Sequence, residues 1–230
     1  MEKIGFVGAY DKTDFIIYIA KILTVLGKRV LVIDSTINQK AKYIVPVINP
    51  TKSYVTQYED FDVAVGFQDF DDMSGYLGVE KIEDLYDIAL IDTDSSKVFN
   101  NFGMRLAQKN YFVTSFDLFS LKKGLEILGG LEEAIEMKKV LFSKNGDPEE
   151  NDYLDFLSSN YKIVWDDEII YFPLDSDDIA AIIENQRVSK IKFKNLTENY
   201  IDGFSTLAQE ITGVSMYDLK KVYKILEKGQ

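Results

Sequence analysis

Lys3-Ile4-Gly5-Phe6-Val7-Gly8-Ala9-Tyr10-Asp11-Lys12-Thr13, followed a helix's length later by Arg29-Val30-Leu31-Val32-Ile33-Asp34, is the stretch that decides the fold. Lys3–Val7 is a short, largely apolar run that stops at Gly8, the pattern of a buried strand. Asp14–Leu26 carries Ile16, Ile17, Ala20 and Leu23 at helical spacing, and Gly27 supplies a C-terminal stop. Arg29–Asp34 reads as a second buried strand that ends in an acid. Strand, turn, helix, strand over this length is a βαβ unit, with parallel strands and a right-handed crossover.

The same grammar recurs downstream. Ser53–Tyr58 and Val63–Phe67 are plausible strands, and Asp87–Asp92, Tyr111–Ser115, Lys139–Ser143 and Ile169–Phe172 join the two above in a set of six or seven. Helical periodicity covers Leu118–Met137, weakened at Gly129-Gly130, then Asp177–Asn185, Leu196–Thr212 and about Ser215–Glu227. The acidic stretch Asn145–Asp155 reads as a loop. These elements predict an α/β protein: a doubly wound, mostly parallel sheet with helices on both faces. One domain over residues 1–213 is expected, with 214–230 forming an amphipathic helix packed on it or on a partner.

The 230 residues include 38 acidic and 26 basic side chains, for a net charge of −12, and neither cysteine nor histidine. Disulfides, thiolate nucleophiles, Ser-His-Asp triads and His- or Cys-ligated metals are therefore excluded. The charge opposes a role coating DNA. The first residues lack the basic start and apolar run of a signal peptide, and no apolar stretch is long enough to span a bilayer. The expected location is the cytoplasm. Tyr58–Asp62 and Asp69–Asp72 lack calcium-loop spacing and read as solvated loops.

The link between the first strand and helix is where chemistry is expected. A phosphate-binding loop needs inward-pointing amides at a helix start, a lysine for the phosphates and a hydroxyl for magnesium. Lys12 and Thr13 stand where those two side chains would. Asp11 replaces the glycine before the lysine, and Phe6 stands at the first glycine of the strict pattern. A carboxylate there repels a phosphate and is placed to pair with Lys12. At about 4 Å and an effective dielectric near 20, one such contact is worth on the order of 4 kcal/mol.

Four segments in order resemble the MinD/ParA family of deviant Walker ATPases, which are P-loop NTPases. The first loop is similar to their K-G-G-x-G-K-[ST]. Val30–Asp34 matches the V-L-L-I-D strand, and Tyr86–Thr93 (YDIALIDT) resembles the second acidic strand. Phe112–Leu121 (FVTSFDLFSL) and Phe172–Asp175 (FPLD) resemble the V-T-x-P-x-x-x-S-L segment and the I-P-x-D turn. The resemblance implies ATP or ADP with Mg²⁺ as ligand, held by Gly8, Lys12 and Thr13, with Pro173 beside the base. It implies Thr13 and Asp92 as metal ligands, and Asp34 with Asp92 as the acids that order the attacking water. Thr93, Asp94, Ser95 and Ser96 stand at the switch loop, and Ser143-Lys144 where an adenine-reading asparagine is common.

The departures point away from turnover. Val7 stands where the family's signature lysine reaches across the dimer, and Ala9 and Asp11 replace the other two glycines. The expected protein is a homodimeric positioning or assembly scaffold with little or no ATP hydrolysis, binding a protein partner, like atypical members of the TadZ type. The alternatives are an active ATPase of partitioning or division-site placement, and a membrane-surface adaptor. The adaptor would use the last helix, where Met216, Leu219, Val222, Tyr223 and Leu226 share one face. Packing of that face on the domain or on a partner is the favoured reading, and DNA binding is not expected.

Overall fold

Strands that are apolar on both sides, such as Val30-Leu31-Val32-Ile33, need helices above and below them. The computed structural model describes residues 1–48, 51–144, 146 and 148–228. Its strands are β1 (Glu2–Val7), β2 (Val30–Asp34), β3 (Tyr54–Tyr58), β4 (Phe61–Val65), β5 (Ile88–Thr93), β6 (Lys109–Ser115), β7 (Ile135–Ser143) and β8 (Ile163–Pro173). They form one sheet of order β3-β4-β2-β5-β1-β6-β7-β8. All neighbours are parallel except the β3–β4 hairpin. The helices are α1 (Thr13–Val25), α2 (Ala41–Ile44), α3 (Phe70–Leu77), α4 (Ser96–Asn101), α5 (Leu118–Gly129), α6 (Pro148–Ser158), α7 (Ser176–Arg187), α8 (Glu198–Thr212) and α9 (Met216–Lys228).

Two apolar layers sandwich the sheet. On one side α1, α7, α8 and α9 pack over Phe6, Val32, Phe142 and Phe172; on the other α3 to α6 cover Val7, Ile33, Ile91 and Leu141. The first layer is strongly aromatic. Phe15 of α1 meets Phe172 edge-on at 4.9 Å and stacks on Phe204 of α8 at 5.9 Å. This packing fixes the start of α1, and so the loop before it, against the sheet.

Several expected elements differ. The helix expected over Leu118–Met137 ends at Gly129, and Ile135–Met137 opens β7 instead. Gly130 closes the helix, its amide donating to the Ile127 carbonyl at 3.1 Å, and a Cβ there would meet Ser96. Residues 148–155 of the expected loop are helical, with Pro148 at a first-turn position that tolerates it and Glu149 and Glu150 favouring the positive end. Asn145 and Asp147 of that stretch lie outside the described residues. Both plausible strands are present, as β3 and β4, which pair with each other while β4 joins β2, so the sheet reaches eight strands. Asp69 is not loop filler: its carboxylate accepts the Asp72 amide at 2.8 Å and starts α3.

The C-terminal helix lies on the domain. Leu219, Val222 and Leu226 are buried in the same layer as α1 and α8, and Tyr223 and Ser205 hydroxyls meet at 3.0 Å. No helix among the described residues is long and apolar enough to cross a membrane.

Candidate functional site

Ligand crevices in parallel sheets lie beyond the carboxyl ends of the strands. Here the register sets Phe6 beside Asp92 and Asp92 beside Asp34 across β1, β5 and β2. The chain leaves β1 through Gly8, whose φ of +143° places it in a region that favours glycine. A Cβ on Gly8 would stand 2.2 Å from the Val113 carbonyl of β6. The Gly8 amide donates to the Thr93 carbonyl at 3.2 Å, which folds the loop over the ends of β5 and β6.

Lys12, at the start of α1, is thereby turned inward. Its Nζ donates to the Gly8 carbonyl at 2.8 Å and lies 2.7 Å from Asp92 Oδ1. The two side chains are 1% and 2% exposed. Apart from this charge contact, neither Asp92 oxygen has a hydrogen-bond partner. Burial pushes the Asp92 carboxyl up to about 7, against the pull of Lys12, and the Asp34 charge adds to the rise.

The expected Asp11–Lys12 pair is absent. Asp11 turns out of the loop to Lys40 Nζ, 2.6 Å away, and accepts the Thr13 amide at 3.3 Å. Lys12 prefers Asp92 because the strand register sets that acid directly beneath it. Lys40 also reaches Asp14 at 2.6 Å, and Gln186 of α7 donates to both oxygens of Asp14. Burial acts against the Lys40 charge, but Asp14 and Asp11 outweigh it and raise its pKa.

Asp34 is fully buried and engaged elsewhere. Its carboxylate accepts from the Thr36 amide and hydroxyl and from the Ala41 amide, at 2.6–3.1 Å, shaping the loop that presents Lys40. Asp94 accepts the Ile37 amide at 3.1 Å, tying the loop after β5 to the loop after β2.

Lys12, Thr13, Asp92, Asp94, Thr36 and Lys40 are among the residues around a polar cavity of about 450 Å³. Pro173 does not line it. It borders an adjoining cavity of about 350 Å³ with Tyr10, Phe142, Leu174 and Tyr200, and Tyr10, Asp11 and Lys40 stand in the walls of both. Tyr10 packs on Phe142 with centroids 4.6 Å apart, and burial first, then Asp11 and Asp117, push its hydroxyl up to about 12. Ser143 and Lys144 line a separate groove beside β8 and α8.

The donor set fits a polyphosphate nucleotide. A buried lysine, a helix start and a second lysine line the polar cavity, while aromatic and aliphatic walls line the other. No group of three or more acidic side chains that could hold a metal ion occurs among the described residues. Asp92, one of whose oxygens has no partner, and Thr13 are the side chains that could hold a magnesium ion together with a ligand's own phosphates. Motif reading placed Asp94 only at the switch loop, and it missed Lys40 and Thr36 because they belong to no phosphate-loop pattern. The one available signal was their place just past strand-ending acids.

No protein-family model matches the chain, and no curated protein matches it in sequence. Solved structures do match in shape. MinD cell division protein of Aquifex aeolicus superposes with a TM-score of 0.60 at 13% identity, over 94% of this chain and 98% of that one. A chain of the Aquifex aeolicus MinC:MinD cell division protein complex gives 0.59 at 16%, over 94% and 98%. A putative plasmid partition protein of Borrelia burgdorferi bound to AMPPNP gives 0.58 at 14%, over 93% and 100%. The eight-stranded sheet, its helices and these likenesses together give the chain the MinD/ParA-type P-loop ATPase fold.

Proposed function

We propose that this chain binds ATP or ADP, hydrolyses it weakly or not at all, and serves as a homodimeric positioning or assembly scaffold for a protein partner in the cytoplasm. The observation that carries the nucleotide reading is the buried Lys12 at the head of a polar cavity that adjoins an apolar, aromatic-walled one. In this reading Gly8 shapes the loop, and Lys12 with the helix start holds phosphate. Thr13 and Asp92 face the metal, and Pro173 with Tyr10 borders the base.

Weak turnover is supported by two features. Val7 is buried within β1, so no lysine side chain projects from that position toward a second copy. Asp34, the other expected water-ordering acid, is spent on Thr36 and Ala41. Exposed Ile37, Tyr43, Leu118, Phe119 and Leu174 all follow strand ends on the cavity side and support a protein-covered face there. The similar structures include a MinC:MinD complex and a putative partition protein bound to AMPPNP, which supports partner binding and nucleotide binding as the two properties to test.

The experiment is thermal unfolding of the full chain with ATP or ADP, with and without magnesium, beside a phosphate-release assay. A ligand at a hundred times its Kd stabilises by about 2.7 kcal/mol. A clear nucleotide-dependent shift with negligible phosphate release is expected. Absence of any shift at millimolar nucleotide overturns the binding reading. Vigorous magnesium-dependent hydrolysis abolished by Lys12→Ala establishes the active-ATPase reading instead.

A further inference from the structure

We propose that Lys40 is a second phosphate-binding lysine of this cavity, supplied by the loop after β2, and that Asp11 is its internal competitor. This rests on the polyphosphate reading and assigns to it a residue outside the phosphate loop.

Four observations converge on it. Lys40 stands in the wall of the cavity that also holds Lys12. Its backbone is anchored there, because Asp34 accepts from Thr36 and Ala41 on either side of it. Its side chain is one-third exposed and so reachable from solvent. Its two present partners differ in kind. Asp14 is mostly buried and held by Gln186, whereas Asp11 is about half exposed and rests on the Thr13 amide through a long 3.3 Å contact.

The Asp11 carboxylate thus sits on a helix-start amide and on a lysine, the two kinds of donor that bind a phosphate. An incoming polyphosphate offers the same donors more charge and more oxygens. Asp11 is the partner it would displace, by a side-chain rotation toward solvent. Asp14 would stay in place and keep Lys40 at the cavity mouth.

The test is calorimetric titration of the full chain with inorganic tripolyphosphate and with ATP, both without metal, so that binding rather than turnover is read. Lys40→Ala and Lys40→Gln should weaken both ligands by about tenfold or more, the scale of one charge-assisted hydrogen bond. Asp11→Asn should tighten them. In an Asp11→Asn/Asp14→Asn background Lys40→Gln should still weaken binding, because no carboxylate then remains for it to neutralise. Far-ultraviolet circular dichroism and thermal unfolding of each variant separate loss of contact from loss of fold. Unchanged affinity in correctly folded Lys40→Gln, or a loss that vanishes in the double-asparagine background, overturns the proposal. If Lys12→Ala weakens binding while Lys40→Gln does not, the nucleotide reading stands and the inference alone fails. If wild-type protein binds neither ligand, both fall.

Discussion

Lys12 Nζ and Asp92 Oδ1 are 2.7 Å apart, and both side chains are buried, so the phosphate-loop lysine and the strand-ending acid neutralise each other in the free protein. Removing one member leaves an uncompensated buried charge, whereas removing both does not. Lys12→Ala should therefore lose on the order of 3–5 kcal/mol in urea unfolding, and Lys12→Met with Asp92→Leu should recover most of it. Equal losses in the two proteins would show that the charges are not coupled.

Gly8 combines a φ of +143° with a Val113 carbonyl 2.2 Å from any added Cβ. Gly8→Ala should destabilise the chain by more than the roughly 1–3 kcal/mol of backbone strain alone, because β6 must also shift. Thermal unfolding measures this directly. A midpoint like that of the wild type would mean that the loop relaxes freely.

Tyr10 stands in the wall shared by the two cavities and packs on Phe142. Aromatic stacking on a base is worth about 1–3 kcal/mol. Tyr10→Ala should weaken ATP by about tenfold and leave inorganic tripolyphosphate unchanged. Parallel loss of both ligands would place Tyr10 on the phosphates instead.

Asp87 accepts from the Arg29 amide, Nε and Nη2 at 2.7–3.2 Å, and these bonds hold its carboxyl down at about 2. A folded-state pKa below the ordinary 3.8 gives stability that is present above pH 4 and is lost as pH falls toward 2. In Arg29→Met the Asp87 carboxyl carbon should titrate nearer 3.8 by NMR, and acid unfolding should lose that component. Arg29 is exposed and Asp87 partly so, which lets solvent screen the pair and keeps the stability change small. An unmoved titration would mean that the Arg29 amide alone sets it.

Leu219 is buried in the layer formed with α1 and α8. Leu219→Ala should cost about 2–5 kcal/mol in urea unfolding, the range for a truncated core leucine. The full chain should fail to sediment with liposomes, since Leu219, Val222 and Leu226 already face protein. Strong sedimentation, lost on truncation at Gly213, would show instead that the helix detaches to bind membrane.

Legibility followed the strength of local pattern. β1, β2, β5 and β6 are apolar runs that stand out in any window, and α1 and α8 carry clear 3.6-residue periodicity. α6 escaped because, within an acidic stretch, it buries only Leu154 and Ser158. The early half of β8 escaped because Val164 to Glu168 form an edge with charged residues. Lys12, Thr13, Gly8 and Asp92 were readable from spacing and strand ends, whereas Lys40 carried no motif.

The sequence by itself determined that a βαβ unit opens the chain, that its strands are buried and parallel, and that a lysine and a hydroxyl stand at the first helix start. Those features depend on residues close together along the chain, where periodicity and turn chemistry act directly. Only the tertiary structure decided which charges meet. Asp11 adjoins Lys12 in sequence yet pairs with Lys40, while Lys12 pairs with Asp92, eighty positions away. The reason is register: packing β5 between β1 and β2 sets Asp92 beneath the loop, and the buried lysine takes the acid that burial leaves without another partner.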